Sequence, residues 1–206
     1  AIPLRQAGLT LPIIVQNALI EEADKLCRHD LTPLVYTRPV VEALARQAQR
    51  MGRVVSVHLE IDTGMRRAGL RPEAAADFAR WLTLQPGVRL VGTMTHLASA
   101  DDPDADPHTL DQLAAFQGAL ATMRAQGIDP GVVHAANRAA AWRLPQARFD
   151  MVRMGLGLYG LNPSDAVGDV TRAHHTRAAS RAFNLPQISP GGGKRPTGAC
   201  RGGSAP

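Results

Sequence analysis

Cysteine, lysine, long apolar runs and C-terminal acids are all scarce in this chain of 206 residues, and each scarcity excludes something. Its two cysteines, Cys27 and Cys200, offer neither a disulfide framework nor a metal-ligand spacing. Lysine occurs twice, at Lys25 and Lys194, so chemistry that needs an amine has few candidates. No segment approaches the roughly 20 apolar residues of a membrane span. Arg5 and Gln6 interrupt the first apolar residues, so the start carries no signal-peptide pattern. A soluble protein, cytoplasmic and without a membrane partner, is the expectation.

Acid is missing from one region only. Residues 170–206 hold Arg172, Arg177, Arg181, Lys194, Arg195 and Arg201 but no Asp or Glu. The other 17 basic residues face 18 acidic ones, so residues 1–169 carry about −1 and the net charge of +5 belongs to the tail. The body therefore has no surplus of the kind that binds nucleic acid. The tail has few large apolar residues beside six glycines and four prolines. Such a segment buries too little surface to offset its ordering entropy. Residues 165–206 are expected to be disordered or an out-of-frame translation.

What is present is an alternation. Residues 1–8 read as the end of a helix closed by Gly8. Short β-type runs follow at Leu11–Val15, Pro33–Tyr36, Val54–Ile61, Val88–Met94, Val132–His134 and Phe149–Val152. Helical patterns separate them at Glu21–Arg28, Thr37–Gly52, Pro72–Leu84, Thr109–Gln126 and Asn137–Trp142. Thr37 is placed to cap its helix. In the longest helix, Leu110, Leu113, Gln117, Leu120 and Arg124 form the expected stripe. Alternation of this kind argues for an α/β fold of parallel strands with right-handed crossovers. Periodicity alone leaves an open doubly wound sheet and a closed barrel equally possible.

The most informative stretch is Val57 to Leu70, reading VHLEIDTGMRRAGL. Val57, Leu59 and Ile61 alternate with His58, Glu60 and Asp62 as in a strand, and Asp62-Thr63-Gly64 makes a tight turn. Arg66 and Arg67 then fall where a parallel α/β fold delivers ligand-binding side chains. The stretch closely resembles the D-T-G-M-x-R-x-G signature of the alanine racemases. Three further stretches extend the resemblance in order: Gly92–Asp101 (GTMTHLASAD), His134–Ala140 (HAANRAA) and Val152–Gly160 (VRMGLGLYG).

That resemblance, over about residues 1–164, implies the pyridoxal-phosphate-binding domain of such an enzyme. The fold it implies is a partial (β/α)8 TIM-type barrel lacking its first two strands. Arg153 matches the arginine that hydrogen-bonds the cofactor's pyridine nitrogen. An arginine does not release its proton, so that nitrogen stays unprotonated and favours simple reprotonation. His96 matches the histidine that orients this arginine. Arg67 matches the arginine near the substrate carboxylate. Glu60 takes the position of a carbamylated lysine, another planar anion, the alternative being a solvated strand residue. The phosphate falls to the amides of Gly155 and Leu156, beside Asn137 and Arg138, the last standing where the family usually has serine. Tyr159 reads as core packing.

Racemisation needs a base on each face of the reacting carbon. In the family these are a cofactor-linked lysine after the first strand and a tyrosine from the partner subunit. Neither stretch is matched here. The resemblance therefore implies racemisation of L- and D-alanine for peptidoglycan by an intact homodimer, with this chain alone inactive. The alternatives are an amino-acid racemase of broader specificity and a non-catalytic PLP-binding barrel akin to the pyridoxal homeostasis proteins. A nucleic-acid-binding tail is the weakest rival.

Overall fold

A computed structural model describes residues 1–159; the expectations for Gly160 and the tail lie outside them. Five parallel strands pair in chain order: Ile14–Val15 (β1), Thr32–Val35 (β2), Val55–Glu60 (β3), Val88–Met94 (β4) and Val132–His134 (β5). Helix Ile2–Gln6 (α1) precedes them. The crossovers carry Ala23–Arg28 (α2), Arg38–Arg50 (α3), Ala75–Thr83 (α4) and Asp106–Ala125 (α5), and Arg138–Arg143 (α6) follows β5. A doubly wound sheet reverses its strand order at a switch point, whereas a barrel adds each strand beside the last. This sheet does the latter. It curls as half a barrel, which decides what periodicity left open.

Local sequence explains the elements. Pro39 sits in the first turn of α3, where its missing N–H costs nothing, and Gly52 (φ 62°) follows the last turn. Thr37 occupies the N-cap, but its side chain makes no capping hydrogen bond, so the expected cap is positional only. Val41, Leu44, Ala45 and Ala48 form the buried face of α3, which packs against β3 and β4, while α4 packs against β4. The side chains of Val57 and Leu59 are fully buried in this core.

Two expectations fail. The buried face of α5 is Thr109, Gln112, Leu113, Phe116, Ala119, Leu120 and Met123, while Leu110 is 46% exposed and Gln117 and Arg124 face water. The stripe turns because Gln112, polar by type, goes inward to hydrogen-bond the site described below. Phe149–Val152 is not a strand. Phe149 has φ 43°, outside extended geometry, and Asp150 instead closes on β5: its N–H donates to Val133 O at 3.0 Å, and its carboxylate accepts from Val133 N at 2.8 Å.

Candidate active site at the strand ends

Every matched motif lies at or just beyond the C-terminal end of β3, β4 or β5 or in the segment after α6, the face where barrel folds gather ligand residues. Arg153 is the centre. Its backbone N–H donates to Ala136 O at 3.0 Å, tethering it beside the end of β5. Its Nη1 donates to His134 Nδ1 at 2.9 Å, and Nη2 donates to Ala135 O at 2.9 Å and Thr95 O at 3.0 Å. His96 Nδ1 lies 3.3 Å from the same Nη2. Burial pulls the guanidinium down to about 10, against the opposing pull of Glu60, and it remains a cation at neutral pH.

An arginine offers only hydrogens, so each histidine nitrogen facing it must accept. His134 and His96 are therefore neutral, with the proton on Nε2. Burial first, and the Arg153 charge second, lower His134 to about 3 and His96 to about 4. The sequence reading gave the orienting role to His96. The structure gives the shorter contact to His134, fully buried on β5, and His96 the longer one. Beyond His134 stands His58 of β3, its Nδ1 2.9 Å from His134 Nε2 and its ring edge-to-face at 5.1 Å. Burial lowers His58 to about 4. Neither His134 nor His58 stands out as a site residue in the sequence.

Arg67 is carried by a clasped loop. Asp62 Oδ1 accepts from Gly64 N at 2.9 Å and Arg66 N at 3.0 Å, an Asx-type turn. The chain then returns so that Leu70 N donates to Glu60 O at 2.9 Å and Asp62 N to Leu70 O at 2.7 Å. Gly69 (φ 112°) makes the return possible, since a Cβ there would lie 2.6 Å from Asp62 N. Arg67 and Glu60 line a cavity of about 150 Å³ with Gln16, Asn17 and Ala68.

Glu60 is 6% exposed, so it is not a solvated strand residue. Among the described residues it makes no direct ion pair, and its tie to Arg67 and Arg153 acts through space. Burial raises its carboxyl above the usual range, the two arginines oppose this, and Asp62 adds to it. Gln112, fully buried, braces the loops. Its Nε2 donates to His96 O at 3.2 Å and Thr63 Oγ1 at 3.4 Å, and its Oε1 accepts from Ala98 N at 3.0 Å.

The glycine-rich segment starts a 3₁₀ turn, Gly155–Tyr159, with Gly155 at φ 49° and open space around its α-carbon. The first amides of that turn are those of Gly155 and Leu156. Arg138 packs against the same turn at Gly157, where a Cβ would meet its Cδ at 2.8 Å. Asn137 is otherwise engaged: its Oδ1 caps α6 by accepting from Ala140 N at 3.0 Å, and its Nδ2 donates to Leu97 O at 3.2 Å. Tyr159 is 78% exposed, which corrects the expectation of core packing; no described element covers it.

These features define an α/β half-barrel whose strand ends gather a histidine-bound arginine, a second arginine on a clasped loop and a glycine-opened turn. The sequence profile described as alanine racemase, N-terminal domain, matches residues 1–163. The chain belongs to that family. It is 37% identical over 195 residues to an alanine racemase of Desulfovibrio desulfuricans, covering 94% of this chain and 52% of that one. With an alanine racemase of Symbiobacterium thermophilum it shares 37% identity over 167 residues, 81% of this chain and 44% of the relative. Among solved structures, the alanine racemase of Clostridium difficile 630 in complex with cycloserine superposes with a TM-score of 0.78 at 31% identity, over 82% of this chain and 47% of that one. The Bacillus anthracis alanine racemase with bound L-Ala-P gives 0.73 at 30%, over 81% and 43%. The chain spans about half the length of these relatives.

Proposed function

We propose that this chain is the cofactor-binding part of a pyridoxal-phosphate-dependent alanine racemase, which as a whole homodimer interconverts L- and D-alanine and supplies D-alanine for peptidoglycan. The observation that carries the reading is the setting of Arg153. Its Nε hydrogen and one hydrogen of Nη1 meet no acceptor among the described residues. A partly buried cation with unspent donors suits the acceptor nitrogen of a pyridine ring.

When bound, pyridoxal phosphate withdraws electrons from the α-carbon of the amino acid. The chain's own residues do the rest of the positioning. Arg153 would offer the ring nitrogen a hydrogen it does not release, which would leave that nitrogen unprotonated. The amides of Gly155 and Leu156, with Arg138 against the same turn, would hold the phosphate, and Arg67 the substrate carboxylate. Glu60 keeps negative charge beside Arg67 in place of a carbamate. Asn137 holds the start of α6 in position rather than touching the phosphate.

Among the described residues no lysine stands in this site; Lys25 lies on α2, in the helical layer. The chain alone is therefore expected to bind pyridoxal phosphate reversibly and to racemise nothing. Absorbance titration with pyridoxal phosphate, followed by dialysis and borohydride treatment, tests this beside an assay for D-alanine. The expected result is saturable, dialysable, untrapped binding that weakens at least about tenfold, or about 1.4 kcal/mol, in Arg153→Ala. Absent binding would sink the cofactor reading, and D-alanine formation would sink the claim of inactivity.

A further inference from the structure

We propose that His58 is a positioning residue for Arg153, acting through His134, with Gly92 leaving the space its ring occupies. The three side chains come from β3, β5 and the segment after α6, so tertiary structure alone brings them together. The direction of the chain of hydrogen bonds is fixed from one end. Arg153 can only donate, so His134 Nδ1 accepts at 2.9 Å and its proton must sit on Nε2. That proton points at His58 Nδ1, 2.9 Å away, which must accept in turn and carry its own proton on Nε2.

His134 is 0% exposed, and among the described residues its Nε2 has no acceptor other than His58. Without His58 the buried N–H is orphaned. The Nε2–H tautomer then keeps only its contact with Arg153, and its advantage over the Nδ1–H form, in which hydrogens would face hydrogens, shrinks. In the fraction of molecules that carry the proton on Nδ1, the guanidinium loses the contact that holds Nη1. Gly92 of β4 belongs to the device: a Cβ there would lie 2.3 Å from His58 Cε1 and 2.4 Å from Nδ1, inside the ring's own space.

The link to cofactor binding rests on the function proposed above; the tautomers do not. Long-range proton–nitrogen NMR of the chain labelled with ¹⁵N-histidine reads them without cofactor. Both His134 and His58 are expected neutral, protonated on Nε2. His58→Leu, which fills volume but accepts nothing, should bring His134 into exchange between tautomers and weaken pyridoxal phosphate binding about tenfold. His58→Asn, whose Oδ1 falls near the lost Nδ1, should restore both. A proton on His134 Nδ1 in the unsubstituted chain overturns the proposal, as does His58→Leu with tautomer and affinity unchanged. If His58→Leu does not fold, His58→Asn decides: loss of the Nε2 proton on His134 overturns the relay. If the unsubstituted chain binds no cofactor, the functional reading falls while the NMR result still judges the relay.

Discussion

The two faces of the sheet are built from the same strands and differ in almost everything else. Toward the helices, β3 sends Val57 and Leu59 into a core shared with Leu44, Ala79 and Leu82. On its alternate positions it places His58 and Glu60, both nearly as buried yet ionisable, facing His134 and Arg153. Alternation in a half-exposed sheet separates core from water. In a curled one it separates core from a second interior, where polar groups are kept by partners rather than by solvent. Stability resides mainly on the first face and chemistry on the second.

The strongest way to break that division is Leu59→Ala. Truncating a fully buried leucine should cost about 2–5 kcal/mol in denaturant unfolding. Pyridoxal phosphate affinity of the folded protein should stay unchanged; a matching fall in affinity would show that the faces are not separable.

Acid attacks the other face. His58 and His134 titrate at about 4 and 3 when folded, below the roughly 6.5 of an unfolded histidine. The unfolded chain binds their protons first, so their contribution is complete above pH 6.5 and drains away as pH falls through 4. For His58 alone the loss is on the order of 3 kcal/mol, and that of His134 is larger. Glu60 runs the opposite way: its contribution is complete below the ordinary carboxyl range and is lost as pH rises through its raised folded value. Denaturant midpoints at pH 7 and pH 4.5, compared with those of His58→Asn, measure the histidine part; parallel pH curves would refute it.

The smallest effect belongs to neither face. Tyr159→Ala, at an exposed position, should shift stability by less than about 0.5 kcal/mol. A loss above about 1 kcal/mol in the same unfolding experiment would mean that the ring has a packing partner after all.

The sequence made the fold readable because β1 to β5 are β-branched runs between helices with ordinary starts and stops. Strand β4 has the expected bounds, and α3 ends before the expected glycine. Motif position put Arg153, Arg67 and Glu60 near one another, and the structure has them within electrostatic reach of Glu60. His58 and His134 were not legible, because a histidine alternating with valine and leucine reads as the wet side of a strand until the sheet is known to curl. Gln112 misled in the same way. A glutamine counts against a helix stripe unless its amide has loops to join, and here Thr63, His96 and Ala98 supply them. The cap that Asn137 makes on α6 was not legible either, because its motif does not distinguish a side chain that binds phosphate from one that caps the helix beside it.

The empty α-carbon of Gly92 also constrains the order in which this family member can change. A methyl group at position 92 collides with the His58 ring, whereas a smaller residue at position 58 collides with nothing at glycine. Of the two mutational routes that exchange this pair, the one that begins at position 92 passes through a strained intermediate. The pair is therefore directional: a side chain at position 92 requires the ring at position 58 to move or to be replaced first.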